Sequence, residues 1–508
     1  MVFSTAIFLT LFLPLVLLGC WALGGLCHAG ARRSGSEMAW RPVNALILLA
    51  SFLFYFWGEG LGVAWLVASV LFNAGCARIL ARRESPRWRQ GWLAAAVAGN
   101  LLFLGWFKYA GFIARSANLL PGVDIPVPEV ALPLGISFYT FQAMSYVVDV
   151  YRRETKPSAS VVDFACYVTM FPQLVAGPIV RYVDVAERLL QRRVTLEGVA
   201  SGFRRFLGGL AKKVLLANTV ALMADAVWGV IAGGHGVAAS MAWIGLVCYA
   251  LQIYYDFSGY SDMAIGMGRM LGFEFKENFL HPYCATSARD FWRRWHVSLS
   301  TWFRDYVYIP LGGNRRGLAR TCLNSLVVFA LCGLWHGASA MFLLWGIWHG
   351  LFLTLERLAA LRGAGGAPRK ESRTFAGTAL RQVVANAYAL AVALFGWVLF
   401  RSETLADAGL MLRSLSGLAD VSREARAIWL DFNPKQIVAI VAGVALAYPV
   451  VPWLRAALGR RLAQAQRSGA ALRLTVYAGE CALLTALGLL SLLFVAGGSY
   501  NPFLYFRF

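Results

Sequence analysis

Apolar runs recur along the chain from Thr5 to Val495, with short polar segments between them. A helix needs about 20 apolar residues to cross a bilayer. The pattern predicts spanning helices over residues 5–24, 43–57, 60–76, 92–113, 131–150, 206–231, 238–256, 378–400, 434–453 and 474–497. Gly58-Glu59-Gly60 reads as a tight turn between the second and third. Residues 161–180, "VVDFACYVTMFPQLVAGPIV", are apolar but hold Pro172, Gly177 and Pro178, and basic sequence lies on both sides. Proline removes a helix hydrogen bond, so this piece reads as re-entrant. Such irregular backbone is tolerated at membrane depth only when protein encloses it. Residues 273–320 are too polar to cross and read as cytoplasmic amphipathic helices partly sunk in the interface. The total is about 12 crossings, give or take two.

One apolar stretch fits neither one span nor two. From Thr321 to Leu355 there is no charged residue over 35 positions, about 52 Å if helical. Both flanks are basic, with Arg315, Arg316 and Arg320 before and Arg357, Arg362, Arg369 and Lys370 after. The consistent reading is an in-and-back hairpin of two short helices, turning near His336-Gly337-Ala338-Ser339. The stretch carries Trp-His-Gly twice, at Trp335-His336-Gly337 and Trp348-His349-Gly350. His336 falls at the break, about 23 Å deep, and His349 inside a regular helix, about 10 Å from the cytoplasmic end. The two rings are not expected to form one site easily. An ionisable residue inside a membrane is a functional candidate by default. The plainer alternative is a neutral imidazole hydrogen-bonded between packed helices.

Composition and charge sharpen the topology. The chain is 59% hydrophobic and 14% charged, more apolar than a soluble domain can bury. In a soluble protein the net charge of +21 would suggest nucleic acid. Here the arginines cluster between apolar runs, as the positive-inside rule requires, so no nucleic-acid partner is expected. Arg32, Arg33 and Arg41, then residues 77–90, then Arg152, Arg153 and Lys156 alternate with weakly charged loops such as 118–130. That alternation puts the N-terminus outside the cytoplasm. The nine cysteines are scattered without CxxC or zinc spacing, and no metal site is expected. Leu17-Leu18-Gly19-Cys20 resembles a lipoprotein cleavage box, but no basic segment precedes it, so residues 5–24 read as an uncleaved span. No Walker loop, GxSxG or HExxH occurs, which argues against nucleotide-driven pumping and serine hydrolysis.

Polar residues elsewhere in apolar surroundings are further candidates. Asp256 and Asp262 are costly at membrane depth unless paired. They read either as a proton relay or as partners of arginines such as Arg293 or Arg304. "SARDFWRRWHVSLSTWFRDYVYIPLGGNRR" (287–316) sets Arg289, Arg293 and Arg294 among tryptophans and tyrosines. The plain reading is an interfacial anchor. The sharper one is a docking face for an anionic donor, a coenzyme A pyrophosphate or an acidic carrier protein. His296 lies in the same stretch, His281 beside Pro282 reads as structural, and His28 and His235 receive no role. A proton-coupled transporter stays a competing function, although inverted repeats are not evident.

"FPQLVAGPIVRY" (171–182), "YYDFSGYSDMAIGMGRMLGF" (254–273), "RDFWRRWHVSLSTWFRDYVYIPLGGNR" (289–315) and "LWHG" (334–337) resemble the membrane-bound O-acyltransferases. Within that family the chain looks most like the bacterial branch that acetylates alginate, with "MVFST" and "NPFLYFRF" at its ends also similar. The resemblance covers essentially the whole chain. It implies an all-α, polytopic helical funnel with the active histidine in a thin central layer. One membrane-embedded domain over 1–508 is expected, with an N-terminal bundle about 1–115, a catalytic core about 128–360 and C-terminal helices about 375–508. The LWHG histidine of the family, His336 here, is the catalytic one, and the second polar position corresponds to His296. Trp335, Ser339 and His349, with Arg289, Arg293, Arg294, Asp256 and Asp262, are candidates for a donor or substrate channel. The resemblance further implies an acetyl-coenzyme A or acyl-carrier thioester as donor substrate and no bound cofactor. The acceptor is a periplasmic partner protein or an exopolysaccharide hydroxyl, alginate first and cellulose or another secreted glycan as the alternative. The implied location is the bacterial inner membrane.

Overall fold

A computed structural model describes residues 3–34, 40–82, 84–364, 375–421, 423, 425, 433–464, 469–498 and 500–502. Met1, Val2, Arg369, Lys370 and residues 503–508 of the C-terminal motif lie outside the described residues, and the side chains of Arg32 and Arg33 are likewise not described. The chain is all-helical and a multi-pass membrane protein. Among the described residues, seven segments are long and apolar enough to cross a membrane: Phe8–Ala31, Arg41–Ala81, Pro86–Ala117, Leu196–Ala232, Leu318–His336, Ala379–Arg401 and Leu474–Ala496. Arg41–Ala81 is two helices, Arg41–Glu59 and Val63–Ala81. They part at Gly60, whose φ of +56° suits glycine, so the turn anticipated at 58–60 is present.

Other elements correct the sequence reading. The helix expected over 238–256 runs on as Ala239–Met270, carrying Asp256 and Asp262 within it. The span expected over 434–453 stops at Ala447 and restarts at Val450, because Pro449 supplies no backbone donor. Between the last spans, Leu405–Leu415 is helical, started by a capping box in which Thr404 and Asp407 exchange side-chain-to-backbone bonds.

Two compact units divide the described residues, one within 3–206 and 260–277, the other within 207–259 and 278–502. They interleave along the sequence. In the first unit, the Pro- and Gly-bearing segment forms Val161–Thr169 and Phe171–Leu174, then continues without helix to Arg181. Every residue from 163 to 180 is buried, which satisfies the condition for irregular backbone in such a protein. Tyr167 donates its hydroxyl proton to the Val180 carbonyl, and Gln173 its amide to the Tyr167 carbonyl. In the second unit, a hairpin of Leu318–His336 and Ala340–Ala364 packs against Phe375–Arg401 and the short helix Ala288–Arg294, which in turn contacts Val297–Phe303.

Candidate active site

The hairpin turns where charge and length put it. The first helix ends at His336, Gly337 is extended, and the second helix begins at Ala340. Its two arms approach closely because of glycine. A Cβ built on Gly333 would lie 2.1 Å from the Phe342 carbonyl oxygen, and one on Gly346 2.1 Å from that of Phe329. A Cβ on Gly337 would meet the Phe342 ring at 2.2 Å. The duplicated motif is therefore longer than Trp-His-Gly. It is Gly333-Leu-Trp-His-Gly337 and Gly346-Ile-Trp-His-Gly350, a Gly-xxx-Gly stripe on each arm, the spacing that lets helix backbones touch in membranes.

This packing brings the two histidines onto one tryptophan. His336 and His349 are both buried, and their rings lie 5.0 and 5.1 Å from the Trp345 ring. The antiparallel arms bring the second copy back past the first, so both rings meet Trp345 although they lie on different helices. His336 also touches Trp335 at 4.9 Å and Phe400 at 5.3 Å. His349 touches Trp292 at 5.2 Å and stacks on Phe291 at 6.1 Å.

His296 joins the same cluster through Trp335, at 5.9 Å. It caps Val297–Phe303 with φ +43°, a left-handed conformation rare for a side chain with a Cβ. Asn278 fixes that turn. Its side-chain oxygen accepts from His296 Nδ1 at 3.1 Å, from the Ser298 amide at 3.2 Å and from the Ser298 hydroxyl at 2.9 Å. An amide oxygen only accepts, so His296 carries its proton on Nδ1 and its lone pair on Nε2. Burial without a charged partner pushes the His296 pKa down to about 3, so the ring is neutral at physiological pH. Glu356 ties this segment to the hairpin by accepting the backbone amides of Ala288 at 2.5 Å and Arg289 at 3.1 Å.

The surroundings of the histidines are aromatic and several buried polar atoms there lack partners. Trp292, Trp345, Trp397 and Phe400 are all nearly inaccessible to solvent. The indole nitrogens of Trp292 and Trp345, both ring nitrogens of His349 and Nε2 of His296 are buried with no hydrogen-bond partner. Buried polar groups are ordinarily paired, so these five unpaired atoms are an unusual concentration of polar valence in an aromatic cluster. No three His, Cys, Asp or Glu side chains among the described residues are arranged to hold a metal.

The remaining candidates divide. Ser339 sits in the hairpin turn, half-buried, its hydroxyl accepting from the Phe342 amide at 3.4 Å. Arg289 is exposed and lines a cavity of about 590 Å³ with Glu356 and Tyr388. Arg293 is exposed, and Arg294 is held by Asp290 at 3.0 Å. The carboxylates are paired, but with different partners from those expected. Asp256 meets Lys213 at 2.6 Å and Asp262 meets Arg205 at 2.7 Å, while Arg304 pairs with its neighbour Asp305. Both partners come from earlier helices that pack along Ala239–Met270, which composition could not reveal. His281 bonds the Ala447 carbonyl at 3.3 Å, a structural contact. Asn278, Trp345 and Phe400 were not singled out from sequence, and Trp292 was read only as part of an interfacial anchor; they are ordinary residues in it, gathered only by the fold.

A membrane protein with a buried imidazole cluster at a broken helix fits acyl-transfer chemistry, and comparison with known proteins agrees. Residues 152–362 match the model of the membrane-bound O-acyltransferase family. A Pseudomonas putida protein named "Probable alginate O-acetylase AlgI" is 36% identical over the whole of both chains. A peptidoglycan O-acetyltransferase of Helicobacter pylori is 31% identical over 83% of this chain and 81% of its own. A teichoic acid D-alanyltransferase of Bacillus subtilis is 26% identical over 40% of this chain and 53% of its own. The chain belongs to the membrane-bound O-acyltransferase family and is a membrane-bound O-acyltransferase.

Proposed function

We propose that the chain moves an acetyl group from a cytoplasmic thioester, acetyl-coenzyme A or a loaded acyl-carrier protein, to a hydroxyl on the outer face of the bacterial inner membrane. The acceptor is alginate, reached directly or through a periplasmic partner that passes the group on. The N-terminus lies in the periplasm on this reading. Support for the polymer comes from the full-length similarity to an alginate O-acetylase, and the peptidoglycan relative keeps the chemistry to glycan hydroxyls.

The observation that carries the mechanism is His336 buried at the end of its helix against the rings of Trp335, Trp345 and Phe400. A hydroxyl is a weak nucleophile at neutral pH. His336 takes its proton as the oxygen attacks the thioester carbonyl. The C–O bond forms, the C–S bond breaks, and the imidazolium returns the proton to the departing thiolate. His296, which also touches Trp335, orients the His336 ring or polarises the carbonyl, its Asn278 bond holding it in one tautomer. The tryptophans exclude the water that would hydrolyse the acyl group. The test is acetyl-ester content of secreted polymer in a strain carrying His336→Ala. Loss of acetylation with an unchanged amount of protein in the membrane is expected, and retained acetylation overturns the assignment.

A further inference from the structure

Far from the histidine cluster in sequence, the first unit holds a buried guanidinium with unused donors. Arg192 is 4% exposed. Its Cζ lies 4.4 Å from the Trp40 ring centre and 4.5 Å from that of Phe273. Nη1 donates to the Asn44 side-chain oxygen at 2.7 Å and to the Arg188 carbonyl at 3.2 Å. Nε and Nη2 are buried and have no partner. A guanidinium carries five N–H donors, so three on the Nε–Nη2 edge are unspent.

The local carboxylates do not satisfy them. Asp163 accepts from the Asn44 amide at 2.7 Å and pairs with Arg41 at 3.5 Å. Glu274 pairs with Arg188 at 3.0 Å. Burial draws Arg192 down to about 10, which still leaves it charged at neutral pH. A buried cation with a free fork is costly to keep unless something anionic fills it.

A cavity of about 610 Å³ opens beside it, lined by Arg192 with Arg188, Arg193, His28, Trp40 and the exposed Glu187. The cavity sits where two candidate spans terminate, Phe8–Ala31 on one side and Arg41–Ala81 on the other. The ends of spanning helices lie at headgroup depth, where arginine and tryptophan meet phosphate. The Nε–Nη2 edge matches two oxygens of a phosphate.

We propose that this pocket binds a phosphate group through the Nε–Nη2 fork of Arg192, carried by an anionic phospholipid headgroup.

The test uses the purified full-length protein, delipidated in detergent, with thermal unfolding as readout. Phosphatidylglycerol should raise the melting temperature of the wild type by about 2–4 °C over phosphate-free diacylglycerol, while inorganic phosphate does not. Native mass spectrometry should show phosphatidylglycerol retained by the wild type and lost at least about tenfold more readily from Arg192→Gln. Arg192→Lys, which keeps the charge without the fork, should behave like Arg192→Gln. The same rise with inorganic phosphate alone supports the phosphate site but makes its source a soluble ester. No rise with either ligand in the wild type overturns the proposal, whether or not the variants fold. An undiminished lipid effect in Arg192→Gln overturns it as well.

Discussion

The two Gly-x-Trp-His-Gly copies are alike in composition and unlike in situation. Both contribute their first glycine to the close crossing of the hairpin arms, and both histidines reach Trp345. The difference is where the helix stops. The first copy terminates its helix at His336, so the chain turns there. The second continues for more than three turns to Ala364. Trp335 is buried between His296 and His336, whereas Trp348 is half-buried and donates its indole proton to the Val392 carbonyl at 2.9 Å. The glycines explain the repeat as packing. The broken helix end singles out one copy for chemistry.

The largest effect should fall on His336→Ala, about 10²–10⁴-fold in transfer rate, the range for losing a general base. An equal loss in His349→Ala would break the comparison, since both rings would then be doing the same work. The glycines should respond symmetrically instead. Gly333→Ala and Gly346→Ala each drive a methyl against a backbone carbonyl. Each is expected to cost about 1–3 kcal/mol, read as a lowered melting temperature of the purified protein. A large cost at one position and none at the other would show that the arms do not pack as mirror copies.

The hairpin and its break were legible because they follow from arithmetic: too many uncharged residues for one span, too few for two, and basic flanks on both ends. The buried, broken segment at 161–180 was legible for the same kind of reason, whereas Trp292, read with its neighbours as an interfacial anchor, is buried against Trp345 and His349. The ion pairs were not legible. Lys213 precedes Asp256 by 43 residues and Arg205 precedes Asp262 by 57, and only helix packing brings them together. Those pairs in turn let Ala239–Met270 continue past its expected end, because a neutralised carboxylate no longer marks a boundary. Asn278 was invisible for another reason: its role lies in a left-handed turn at His296, and nothing in local sequence demands φ > 0 there.

Next in size are changes to that turn. His296→Gln and Asn278→Ala should each lower transfer about tenfold, with protein level maintained. His296 also makes a pH prediction. Its pKa is about 3 folded and near 6.5 in an exposed chain. Above pH 6.5 both states are neutral and its contribution to stability is whole. As pH falls from 6.5 towards 3 the unfolded chain takes up the proton and the folded one does not, so that contribution is lost. Melting temperatures at pH 7 and pH 5 should therefore differ more for wild type than for His296→Gln. An equal fall in both would mean the ring is not held neutral.

The smallest effect is expected at His349, and it discriminates most finely between packing and chemistry. Its two ring nitrogens are buried without hydrogen-bond partners, which costs stability relative to an apolar side chain of similar size. Gly396 faces it so closely that a Cβ there would lie 2.9 Å from Nε2, so the site has no room for a larger group. His349→Leu removes the unpaired nitrogens and roughly keeps the volume. If the ring only packs, the variant should melt no lower than wild type and lose less than about threefold in transfer. If the free nitrogens orient the substrate, stability should rise while transfer drops by tenfold or more. That split between stability and rate, measured on the same preparation, separates a helix-packing copy from a working one.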